Sequence, residues 1–171
     1  DLDCGPLIRD SQLKRVQGFL ADAVRDGLVV AGQGTVVADA PASGYYAVPT
    51  LLRDVPPACR LACEEVFGPV LAAMPFADDA EAVRIANGTD FGLVAGVWTA
   101  DGGRQLRMAR AIRAGQVFIN NYGAGGGVEL PFGGDSAEAS LALNVPASPS
   151  SRAPRARARL PAPSFFITLV M

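Results

Sequence analysis

The run Glu64-Glu65-Val66-Phe67-Gly68-Pro69-Val70 gathers two carboxylates and an aromatic ring just ahead of a Gly-Pro turn. A carboxylate accepts two hydroxyl hydrogen bonds. Glu65, presented on such a turn, therefore suits the vicinal diol of a sugar. Phe67 supplies a flat apolar face two residues on. Plain structural roles are open to both: Glu65 as a helix cap or the partner of an arginine, Phe67 as core. Asn120 either hydrogen-bonds across a turn or helps to line a site. Phe132, in Pro131-Phe132-Gly133-Gly134, either walls a cavity or simply packs.

The other reactive side chains carry less. Three cysteines, Cys4, Cys59 and Cys63, are too few and too odd in number for a disulfide framework. No flanking basic motif marks any of them as an activated nucleophile, so they read as small, inert thiols. The chain has no His, which argues against a metal site and removes the commonest general base. The net charge of −2 gives no pull toward nucleic acid or an anionic membrane. No apolar run reaches the roughly 20 residues of a membrane span. The Asp1 start has no initiator Met and no basic-then-apolar leader, so upstream chain and a cytoplasmic location are expected. Lys14 is the only lysine among 15 basic residues, a bias that points to a GC-rich coding sequence.

The elements that must position these residues follow from periodicity. Asp10 is placed as the N-cap of a helix over about 11–26, with Leu13, Val16, Leu20, Ala23 and Val24 on its apolar face and Gly27 as its stop. Residues 28–31 read as a short strand. Tyr45 to Leu52 is strand-like, with Pro49 arguing for an edge or an irregular stretch. Val70 to Phe76, Leu93 to Thr99 and Gln116 to Asn120 read as three buried strands. A helix capped by Asp78 or Asp79 runs to Ala86, and another runs from Asp101 to about Ala114 with Leu106, Met108, Ala109 and Ile112 apolar. Strand–helix–strand–helix–strand predicts an α/β fold with parallel strands and crossover helices. From Asp135 the composition shifts to Ala, Ser, Pro and Arg. Ser148 to Pro163 is low-complexity and expected to be disordered, and Phe165 to Met171 is an aggregation-prone strand candidate.

Several segments, in order, resemble the aldehyde dehydrogenase superfamily: Gly5-Pro6-Leu7-Ile8 with Gln12, Val48-Pro49-Thr50, the Glu64–Val70 heptad, Ala86-Asn87 with Phe91-Gly92-Leu93, Ala114–Asn120 and Pro131–Gly134. The likeness covers about residues 3–134, making 1–134 part of a catalytic domain and 135–171 a tail outside the family. The resemblance implies NAD or NADP as cofactor, with Glu65 holding the nicotinamide ribose and Phe67 near the nicotinamide ring. It implies a small-molecule aldehyde as substrate, with Phe132 and Asn120 at its site. A homo-oligomer is implied for the full-length parent.

In this family a Cys thiolate attacks the aldehyde, hydride leaves to nicotinamide, and a Glu-activated water hydrolyses the thioester. The family's nucleophile, general base and dinucleotide-binding domain lie upstream of the Gly-Pro-Leu-Ile segment. No catalytic residue is therefore expected within this chain. Two readings stand: part of an enzyme that oxidises an aldehyde to an acid, or a non-catalytic gene remnant or interaction module that docks on intact subunits. The glycine-rich loop 121–129 is expected to leave a wide aldehyde entrance with Phe132 as its fixed wall. The family's Lys-x-Ser-Gly and Gly-Arg-Glu do not follow Gly134, so the tail is expected to arise from a frameshift or fusion. Translating the other two frames of the coding DNA after Gly134 recovers both motifs if a frameshift is the cause; their absence from both frames excludes one.

Overall fold

The computed structural model describes residues 4–121, together with the strands 142–144 and 165–170. The chain divides into two compact units, residues 1–76 and 77–171, each with its own sheet.

In the first unit α1 (Asp10–Arg25) is followed by β1 (Val29–Gln33), β2 (Thr50–Arg53), α2 (Arg60–Cys63) and β3 (Val70–Ala72). The sheet order is β1-β2-β3, with β1 antiparallel and β3 parallel to β2. The buried face of α1 is Val16, Phe19 and Ala23, which packs on Leu52, Val55, Leu61, Ala62 and Val66. This corrects the expected face. Phe19 sits at its centre, 1% exposed, while Val24 turns outward at 67%. Residues 16, 19 and 23 share one helical stripe, and the largest side chain takes the middle of it. Asp10 does not cap the helix. Arg9 holds the cap position, and Asp10, already in the first turn, pairs with Lys14 at 2.6 Å.

Two strands are shorter than expected. Pro49 has no N–H to give, so the regular ladder of β2 begins at Thr50. Tyr45 contributes only an isolated bridge, accepting from the Leu7 N–H at 2.7 Å. Of the expected buried strand Val70 to Phe76, residues 70–72 form the regular strand, Ala73 adds hydrogen bonds with Leu52 and Val55, and Leu71 is 56% exposed. Alternation sends Val70 and Ala72 toward the core beneath α1 and Leu71 to the opposite face.

The second unit holds α3 (Asp79–Ala86), β4 (Val94–Thr99), α4 (Gly102–Ala111), β5 (Gln116–Ile119), β6 (Ala142–Asn144) and β7 (Phe165–Val170). The order is β6-β5-β4-β7, with β4, β5 and β6 parallel and β7 antiparallel to β4. The fold is α/β, and α4 crosses between the parallel pair β4 and β5 as expected. One parallel sheet running through all three predicted strands is not found, because β3 joins β2 in the first unit. Asp78 caps α3 by accepting from Glu81 N at 2.8 Å, and Asp101 caps α4 by accepting from Arg104 N at 2.9 Å. Val94, Ala95, Val97, Val117, Phe118 and Ile119 are buried, as are Met108, Ala109 and Ile112 of the α4 segment; Leu106, expected on the same face, is half exposed.

Asn87 ties the C-terminal ends of the two helices together. Its amide donates to Ala111 O (2.9 Å) and accepts from Arg113 N (2.8 Å), and its own carbonyl accepts from the Arg113 guanidinium (2.7 Å). Residues 165–170 of the apolar C-terminal run form the expected strand, β7. Residues 145–164, which include the stretch expected to be disordered, lie outside the described residues. Among the described residues no helix is long and apolar enough to cross a membrane.

Candidate functional site

The heptad forms the loop between α2 and β3, and α1 grips it. Gln12, in the first turn of α1, donates from its Nε2 to Val66 O (3.0 Å) and Phe67 O (2.7 Å). Arg15 donates to Glu65 O at 2.5 Å. Residues 12, 15, 16 and 19 succeed one another on adjoining stripes of one helix face, so three consecutive carbonyls and the core beneath meet the same side of α1. Gly68 completes the grip. A Cβ there would collide with Cγ2 of Val16, a fully buried side chain with nowhere to move.

The backbone pays for this closeness at Phe67, whose φ is +58°. A bulky residue in that left-handed region costs of order 1–3 kcal/mol and persists only where its surroundings impose it. The flanking carbonyls held by Gln12 impose it here. As a result the Phe67 ring is thrown outward and is 70% exposed, so it is not core. Glu65 is half-buried. Among the described residues no hydrogen bond or ion pair reaches its carboxylate, and it caps no helix. Glu64, by contrast, is committed. It pairs with Arg60 at 3.1 Å and lies 4.0 Å from Arg15.

Arg60 knits this base together. Its guanidinium stacks 4.2 Å from the centroid of the Phe19 ring, with Arg15 at 5.0 Å from the same ring. It also pairs with Asp22 at 2.8 Å. Hydrogen bonds from Arg60 and then Arg25 hold the Asp22 carboxyl below the usual carboxylate range. The same contacts, Glu64 first and Asp22 next, raise the Arg60 guanidinium further above its already high value. The result is a charge-paired, aromatic-backed floor under the loop.

Beyond Gly68 and Pro69 an open apolar depression of about 410 Å³ reaches Cys4, Gly34, Leu51 and Leu71. Neither Glu65 nor Phe67 lines it. Cys59 holds the N-cap position of α2, Cys63 donates from Sγ to Pro57 O at 3.2 Å, and Cys4 is exposed. Among the described residues no three His, Cys, Asp or Glu side chains gather to hold a metal.

Asn120 lies in the second unit, directly after β5. Its φ of +51° is one that Asn tolerates. Its amide accepts from Thr99 N (2.9 Å) and donates to Thr99 O (3.1 Å). The side chain thus imitates a peptide group and lengthens the β4–β5 ladder by one rung. Phe132 and the loop 122–129 lie outside the described residues.

Residues 1–137 match the aldehyde dehydrogenase family. The chain belongs to that family. It is 43% identical over 136 residues to a betaine aldehyde dehydrogenase of Cereibacter sphaeroides, covering 78% of this chain and 27% of that protein. It is 42% identical over 137 residues to the 4-trimethylaminobutyraldehyde dehydrogenase of Mus musculus, covering 78% and 28%. Among solved structures, a Burkholderia cenocepacia chain assigned to the aldehyde dehydrogenases is 71% identical with a TM-score of 0.75, over 78% of this chain and 28% of that one. An indole-3-acetaldehyde dehydrogenase of P. syringae, solved with NAD+ and IAA, is 39% identical with a TM-score of 0.70, over 77% and 26%. This aldehyde dehydrogenase chain therefore spans about a quarter of the length of the relatives it matches.

Sequence reasoning quoted Gln12 without giving it a task, and it passed over Arg15, Phe19, Asp22 and Arg60. The signal available was the shared helix face. Gly68 and Gly18 supply the test of the grip. Gly68→Ala is expected to destabilise the protein by about 1–3 kcal/mol through overpacking against Val16. Gly18→Ala, in mid-helix with nothing within 4 Å of the added carbon, is expected to stabilise by up to about 1 kcal/mol. Urea unfolding of both variants checks the contrast.

Proposed function

We propose that this chain is the C-terminal share of the catalytic domain of an NAD(P)-dependent aldehyde dehydrogenase that oxidises an aldehyde to a carboxylic acid. In this reading Glu65 receives the hydroxyls of the nicotinamide ribose and Phe67 offers its exposed ring to the nicotinamide. The observation that carries the reading is the contrast between neighbours on one clamped loop. Glu64 is tied into the Arg60 pair, while among the described residues the half-buried Glu65 carboxylate has no partner and the Phe67 ring is exposed. An acceptor-only carboxylate that is half-buried and unclaimed by protein donors fits a diol. The cofactor, when bound, accepts the hydride. Glu65 fixes where its ribose lies, Phe67 limits the ring from one side, and α1 keeps both from drifting. Asn120, through the Thr99 rung, sets where the chain leaves β5 toward the aldehyde site, and Phe132 is assigned to that site's wall.

The nucleophile and general base are assigned to the part of the family's length that this chain does not span. The purified chain alone is accordingly expected to show no aldehyde-dependent reduction of NAD or NADP. Turnover that disappears on mutating Cys59 or Cys63 would overturn the assignment. In a full-length enzyme carrying this segment, Glu65→Gln is expected to raise the Kd for the cofactor about tenfold or more, the worth of charge-assisted hydrogen bonds. Glu64→Gln is expected to lower stability and leave that Kd within about twofold. Equal effects of the two substitutions on Kd would contradict the role given to Glu65.

A further inference from the structure

We propose that the outer edge of β4 is a strand-acceptor site for an extended apolar peptide, and that β7 is its resident occupant, supplied by the same chain. The polarity of β4 defines the site. Leu93 O accepts from Gln116 N, and Val97 O accepts from Asn120 N. In a parallel ladder a residue directs both of its main-chain groups to the same neighbour, and successive residues alternate. Leu93, Ala95 and Val97 therefore serve β5, and Thr99 meets the Asn120 amide in the same direction. Val94, Gly96 and Trp98 turn their N–H and C=O groups the other way.

On that side lies β7, paired antiparallel over the whole length of β4, from Val94 opposite Val170 to Thr99 opposite Phe165. Every edge group has a strand to meet. Without β7, three donors and three acceptors of a strand buried at five of its six positions would be left open. The occupant comes from outside the family region. The family match ends at residue 137 and β7 begins at Phe165.

The ligand class follows from this geometry. Main-chain hydrogen bonds along an edge accept any extended segment, and side chains at alternate positions select it. The segment selected here, Phe165-Phe166-Ile167-Thr168-Leu169-Val170, is aromatic, aliphatic and uncharged, with strong strand preference. Gly96 also leaves room for the Trp98 ring, which lies where a Cβ of residue 96 would be. Belonging to the same chain raises the effective concentration of β7 at its edge. A free peptide of the same sequence must compete with that, so the site opens to outside strands only when β7 is displaced.

Trp98 is the only Trp in the chain and stands opposite Phe166, which gives the experiment its probe. The full chain, the chain ended at Pro163, and full-length Thr168→Pro are compared by Trp98 fluorescence and by amide hydrogen exchange. Thr168 faces Gly96, and proline there removes a rung's donor. Removing or breaking β7 is expected to red-shift Trp98 emission. It is also expected to abolish protection of the Gly96 and Trp98 amides while Ala95 and Val97 keep theirs. Adding the synthetic peptide Ser164–Met171 to the shortened chain is expected to restore both signals, and a scrambled peptide is not. If the shortened chain does not fold, the selective loss in Thr168→Pro decides. Unchanged emission and unchanged Gly96 and Trp98 protection in Thr168→Pro overturn the proposal, as does equal rescue by the scrambled peptide.

Discussion

One side-chain amide governs the first unit. Gln12 donates to the carbonyls of both Val66 and Phe67, and those bonds hold a bulky residue at φ +58°. Everything distinctive about the loop follows. Phe67 points outward because its backbone is left-handed, Gly68 is needed because the loop then runs against Val16, and Arg15 can reach Glu65 O because the loop is that close. A loop fixed in this way is already ordered, which is what the proposed cofactor role of Glu65 and Phe67 requires.

The floor beneath the loop is built from charge and aromatic contacts. Arg60 joins Phe19, Asp22 and Glu64, so it ties α1 and α2 to the base of the loop at once. The charged groups are 28–48% exposed, and partly exposed pairs of this kind stabilise little on their own. Their use lies in geometry: they commit Glu64 to structure, while no hydrogen bond or ion pair among the described residues reaches the Glu65 carboxylate. In the second unit Asn87 and Asn120 do comparable work, each substituting its amide for a missing backbone rung. Two asparagines that stand within family motifs are accounted for by backbone satisfaction before any contact with a ligand is invoked.

Much of this was legible in the residues and some was not. The helices near 79–86 and 102–111 follow from stripe and cap signals, the helix near 10–25 follows from its apolar periodicity though not from its expected cap, and the parallel β4–β5 pair follows from the crossover between two buried runs. The face of α1 was misjudged because hydrophobic spacing alone does not rank Phe19 above Leu20 and Val24. Packing volume decides it, and that depends on Leu52 and Leu61 far along the chain. The sheet that receives β3 was misassigned because a strand's sequence does not name its neighbour. The heptad was recognisable from its letters. Its clamp was not, since Gln12 and Phe67 are brought together only by the fold, 55 residues apart.

The most direct test of the account is a double-mutant cycle between Gln12→Ala and Phe67→Gly, followed by urea unfolding of the chain. If the Gln12 amide imposes the left-handed Phe67, glycine at 67 relieves strain only while Gln12 is present. The two changes are then non-additive by about 0.5 kcal/mol or more. Effects that add to within about 0.3 kcal/mol would show that Phe67 holds its conformation independently of α1, and would contradict the claim that this helix sets the site.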